Sequence, residues 1–129
     1  MRTVLYTVLI GNYDWLNNVR HLSSYFDTIC YTNNKKLIKK GKVKGWNIVD
    51  INVIGKFTKN KHTESKSDIL VLTRWLKFFP HIHFANYNNS IYIDANLFPY
   101  KSIINYAKNC IKKNVELSLF IHPHRKSVK

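Results

Sequence analysis

Ser90-Ile91-Tyr92-Ile93-Asp94-Ala95-Asn96 is an apolar run that ends abruptly in a carboxylate, a small residue and an amide. Such a run reads as a strand buried in a sheet. It delivers its last polar side chains to the sheet's carboxyl edge, where open α/β folds bind ligands. Asp94 is therefore the first candidate for chemistry. Alternation along a strand extending through these residues would point Asp94 and Asn96 the same way, with Ala95 leaving room between them. Two oxygen donors on one side suit a hard divalent cation carrying a diphosphate. The same residues also read as the start of a turn, or as a cap for the helix that follows Pro99.

Working outward, strand and helix signals alternate. Thr3 to Ile10 reads as a buried strand, left through the loop Gly11-Asn12-Tyr13-Asp14. Thr28 to Thr32 reads as a second strand, stopped by Asn33-Asn34, and Trp46 to Ile51 as a third, entered through Gly45. From Ser65 to Phe79 the period becomes helical, with Ile69, Leu72, Leu76 and Phe79 on one stripe before Pro80. The strand from Ile91 to Asp94 comes next. A helix from Lys101 to Lys113 follows, then a fifth strand from Val115 to Ile121. Strands separated by crossovers imply an α/β fold with a mostly parallel sheet and flanking helices. Residues 55 to 66 read as the main loop.

The 129 residues suit one domain, 1–129, with a core of useful size. A chain 45% hydrophobic and 22% charged is globular in composition, which argues against a disordered segment. The run Val4 to Ile10 is too short to span a membrane, and it lacks a basic leader and a small-residue cleavage site, so the expected location is the cytoplasm. Cys30 and Cys110 each sit in an apolar run and read as reduced thiols.

Net charge is +14, from 21 basic residues against 7 acidic ones. Lysine supplies 17 of the 21, as a coding bias toward Lys, Asn and Ile would produce, but such a bias does not explain the scarcity of acids. The surface therefore suits anionic partners, including an acidic membrane face. The densest basic stretch, Lys35 to Lys44, reads as a solvated loop and turn.

Six segments taken in order resemble a known series. They are Tyr6-Thr7-Val8-Leu9-Ile10-Gly11-Asn12-Tyr13-Asp14, Cys30-Tyr31-Thr32-Asn33-Asn34, Gly45-Trp46-Asn47-Ile48, Arg74-Trp75-Leu76-Lys77-Phe78-Phe79-Pro80-His81, Ser90 to Asn96, and Phe120-Ile121-His122-Pro123-His124-Arg125. The series resembles the glycosyltransferase-like domain of bacterial capsule and lipopolysaccharide loci and of plant wall-polysaccharide proteins. The resemblance implies a GT-A, Rossmann-like fold, a nucleotide-diphospho-sugar donor, a Mn²⁺ or Mg²⁺ ion, and a glycan or lipid-linked acceptor.

Carried over residue by residue, it puts Thr7, Gly11, Tyr13 and Asp14 on the nucleotide. Arg74 and Lys77 share a helix face and stand with His81 against the donor phosphates, where cations stabilise the departing diphosphate. Asp94 is the metal-binding acid. Asn96 replaces the family's second acid, as a weaker ligand or a partner of the ribose, and His122 is a further ligand. On their residue types alone, Arg74 and Lys77 also read as surface cations at a helix C-terminus, Tyr13 as a lid on the sheet edge, and His122 as a half-buried turn residue. Trp15, Trp46 and Trp75 read as packing residues rather than sugar platforms.

The resemblance covers the family's donor-binding half. The acidic segment and helices that shape the acceptor site have no counterpart, and only seven acids are present to furnish a general base. The expectations are a truncated transferase, an inactive donor-binding or interaction fragment, or half of an enzyme completed by another polypeptide or a second copy. Two other readings stand beside these. His81-Ile82-His83 and His122-Pro123-His124, with Asp94, suit a metal-dependent hydrolase. The basic charge suits a nucleic-acid-binding module, although no aromatic base-stacking motif accompanies it.

Overall fold

The structure, a computed structural model, describes residues 2–11, 15–55, 71, 73–77 and 84–114. Among the described residues five strands form one sheet in the order β3-β4-β2-β1-β5. They are β1 (Thr3–Leu9), β2 (Asp27–Thr32), β3 (Lys42–Val43), β4 (Trp46–Asp50) and β5 (Asn89–Tyr92). β1, β2, β4 and β5 run parallel, and only β3 is antiparallel, against β4. The helices are α1 (Lys35–Lys40), α2 (Asn52–Gly55) and α3 (Ser102–Lys112), and residues 71 and 73–77 are also helical. This is the expected α/β architecture with a mostly parallel sheet.

Apolar alternation on β1 builds two cores. Leu5 and Leu9 pack with Leu16, Val19, Leu22 and Phe26 and with Ile104 and Ala107 of α3 on one face of the sheet. Val4 and Tyr6 pack with Ile51, Leu76 and Phe84 on the other. A central strand with both faces covered must be apolar along its length, which is why Thr3 to Leu9 reads as a continuous run. Among the described residues no helix is long and apolar enough to cross a membrane.

Three elements depart from the sequence reading. Lys35 to Lys44 is not a loop and turn: it forms α1 and then β3. The Asn34 side chain accepts from the backbone N–H of Lys36 and Leu37, and Gly41 ends the helix at φ +73°. These end signals, together with Leu37 packing on the core, make a helix of a segment whose lysines remain in water. The second departure is β5, which stops at Tyr92 rather than Asp94. The Leu97 N–H donates to the Asp94 carbonyl at 3.0 Å, closing a turn that takes the chain off the sheet. Asp94 and Asn96 therefore sit in a turn, and strand alternation does not set their directions. Neither caps α3, whose N-cap is Lys101 without a side-chain bond. The third departure is α2, a helix the sequence reading did not expect, which takes Gly55 from the loop expected over residues 55 to 66. The rest of that loop, the expected strand Val115 to Ile121 and most of the helix from Ser65 to Phe79 lie outside the described residues.

Trp46 is 1% exposed and Trp75 packs at the edge of the second core, as expected of packing residues, whereas Trp15 is 69% exposed.

Candidate functional site

β1 lies between β2 and β5. The chain moves outward from β1 to β2 to β4, then returns to the far side of β1 for β5. This reversal falls at the carboxyl ends of β1 and β5, the place where open α/β sheets bind ligands. Three residues singled out in the sequence, Gly11, Asp94 and Asn96, follow those two strand ends.

Gly11 has φ +70°, in the left-handed region, and its N–H donates to Asn33 Oδ1 at 2.8 Å. A few residues later the Asn17 N–H donates to the Ala95 carbonyl at 3.2 Å. The first loop is thus tied at one end to the residue after β2 and at the other to the turn after β5. Its anchors stand on either side of the end of β1. Tyr13, Asp14, His81 and His122 lie outside the described residues.

Asp94 is exposed, and its Oδ1 accepts from the Tyr92 hydroxyl at 3.2 Å. Tyr92 is half-buried, stacks edge-on against Tyr6 at 5.3 Å, and carries the Lys77 ammonium 4.9 Å above its ring. Burial, then the Asp94 charge and the hydrogen bond to it, push the Tyr92 phenol up to about 12, so it remains a donor across the physiological range. The helical segment carrying Lys77 is held in turn by Tyr6, whose buried hydroxyl donates to the Leu76 carbonyl at 2.9 Å and to that of Lys77 at 3.4 Å. One aromatic ring thus links a lysine from a covering helix to the carboxylate beyond β5.

Arg74 is exposed on the same helical segment, and among the described residues no ion pair or hydrogen bond joins it to Asp94. Thr7, expected among the nucleotide contacts, is instead fully buried in the middle of β1. It lies on the face of Leu5 and Leu9, and its hydroxyl has no hydrogen-bond partner among the described residues. As folded it presents no surface to a ligand. Tyr92 and Asn33 were not singled out for the site by the sequence reading. Tyr92 could have been found from its two-residue spacing to Asp94, whereas nothing local marks Asn33 as the anchor of Gly11.

No group of three or more His, Cys, Asp or Glu that would hold a metal occurs among the described residues. The donors available are the Asp94 carboxylate and the Asn96 amide, both exposed in the 94–97 turn. Oxygen donors are the type a Mg²⁺-like cation takes, and one carboxylate with one amide is too few for a closed structural site. No protein-family model, curated protein or solved structure matches this chain.

Proposed function

We propose that the chain binds a nucleotide-diphospho-sugar at the carboxyl edge of the sheet and serves as the donor-binding part of a metal-assisted glycosyltransferase with a GT-A-like fold, working in the cytoplasm. The observation that carries the reading is the position of Asp94. It is an exposed carboxylate directly beyond β5, beside β1 where the strand order reverses, held by Tyr92 and free of ion pairs among the described residues. Cys30 and Cys110 are both free thiols, which suits a reducing compartment.

A bound Mn²⁺ or Mg²⁺ would neutralise diphosphate charge in the ground state and as the sugar departs. Asp94 and Asn96 would hold it, with Tyr92 fixing the carboxylate's orientation. Lys77 adds positive charge on the same side, and Gly11 brings backbone close to the ligand without a side chain in the way.

A thermal-shift panel of UDP- and GDP-linked sugars tests this. A donor that raises the melting temperature only when Mn²⁺ is present, with the shift lost in Asp94→Ala, is the expected result. No response to any nucleotide-sugar, with or without metal, removes the reading.

A further inference from the structure

At the other end of the sheet, α3 and the segment leading into β2 line a half-open pocket of about 330 Å³. Thr3, the first residue of β1, contributes to its wall, whereas Asp94 lies beyond the last residue of the parallel strand β5, so the two places are separated by the length of the strands. Phe26, Ile104, Ala107 and Ile111 give the wall its apolar character, and Tyr25, Lys108 and Lys112 complete it. The two lysines are four residues apart on α3, hence on one face one turn apart, and both are exposed. Neither has an ion-pair partner among the described residues.

The volume lies at the low end for small-molecule sites, which combine an apolar interior with a few placed polar groups. At about 30 Å³ per small group it holds about ten of them, enough for one medium-length aliphatic chain. The lysines lie toward the C-terminal end of α3, where the helix carries about half a negative charge. Two ammonium groups exceed that, so the mouth remains positive. An anionic head could meet these cations, which an uncharged hydrophobe would leave to water.

We propose that this cavity binds a single-chain anionic amphiphile, its aliphatic tail lying against Phe26, Ile104 and Ala107 and its carboxylate or phosphate head meeting Lys108 and Lys112. The site is independent of the nucleotide reading, since it shares no residue with the carboxyl edge.

Isothermal titration of the full chain with octanoate, decanoate and dodecanoate, decyl phosphate, and decanol as the neutral control, all below their micelle concentrations, tests it. Affinity should rise about fourfold for each added methylene and level off once the tail exceeds about ten carbons, where a nonspecific apolar surface would show no plateau. The double variant Lys108→Glu/Lys112→Glu, at exposed positions and with an unchanged circular dichroism spectrum, should bind the anions at least tenfold more weakly. Binding of either anion with this pattern supports the site, and a preference between them names the head group. The proposal is overturned if neither anion binds, if decanol binds as tightly as decanoate, or if charge reversal leaves the affinity unchanged.

Discussion

The Tyr92 hydroxyl donates to Asp94 across a spacing of two residues, at 3.2 Å, from the last position of β5 to the turn beyond it. The bond occupies one carboxylate oxygen and holds the side chain at the sheet edge while the chain around it has already left the sheet. Removing it separates orientation of the carboxylate from its presence.

Tyr92→Phe keeps the ring against Tyr6 and under Lys77 but loses the donor. A hydrogen bond of this kind contributes about 1 kcal/mol, so affinity for a nucleotide-sugar with Mn²⁺ should fall about fivefold, against complete loss in Asp94→Ala. Titration calorimetry on the two variants reads the difference. Equal affinity in Tyr92→Phe and the parent chain would mean that Tyr92 does not orient the carboxylate.

Tyr6→Phe acts on the other side of the same assembly. Its hydroxyl is buried and serves the carbonyls of Leu76 and Lys77, so the variant leaves carbonyls without their donor beneath the helical segment. We expect a stability loss of about 1 kcal/mol in urea unfolding, with the slope unchanged. Because that segment carries Lys77, a weaker donor response should accompany it. A variant as stable as the parent would show the bond to be dispensable.

Gly41 and Gly45 both have positive φ, at +73° and +89°, yet they differ in the space around them. A Cβ at Gly41 would meet nothing within 4 Å, whereas at Gly45 it would come within 2.7 Å of the Arg20 backbone nitrogen. Gly41→Ala should therefore cost about 1 kcal/mol, the conformational term alone. Gly45→Ala should cost more than about 2 kcal/mol, because backbone must move as well. Chemical denaturation of the pair checks the ranking, and equal losses would contradict it.

Burial makes the fold sensitive to alkali. The Cys30 thiol is pushed up from 9.0 to about 12, and the Tyr31 phenol from 10.0 to about 12, in both cases chiefly by desolvation. Above their ordinary values the unfolded chain releases these protons while the folded chain retains them, so stability falls as pH rises. The contribution of Cys30 is complete below about pH 9 and is lost between there and about 12. Urea midpoints of the parent and of Cys30→Ala, followed upward from neutral pH, should converge, since only the parent has this proton to lose. A constant gap through that range would contradict the assignment.

Much of the sheet was legible in the chain because a strand covered on both faces must be apolar throughout. Thr3 to Leu9, Asp27 to Thr32 and Trp46 to Asp50 depart from the sequence reading by a residue or so at their ends. The period of residues 102–112 likewise marked α3 before any contact was known. α1 was missed because its lysines carry no stripe broad enough to outweigh a run of charge, although Asn34 and Gly41 marked both of its ends.

For the site, local chemistry sufficed to nominate Asp94, a carboxylate at the end of a buried run, although the same residue also read as the start of a turn, which it is. Local chemistry could not settle Thr7, which the resemblance set on the nucleotide although the buried-strand reading of Thr3 to Ile10 encloses it. Nor could it supply Asn33 for Gly11, Ala95 for Asn17, or Lys77 for Tyr92, because each pair joins segments that only strand pairing and helix packing bring within reach. Residue type and spacing are local properties, whereas a binding crevice is made by the order in which strands lie side by side, and that order follows from burying two apolar faces at once.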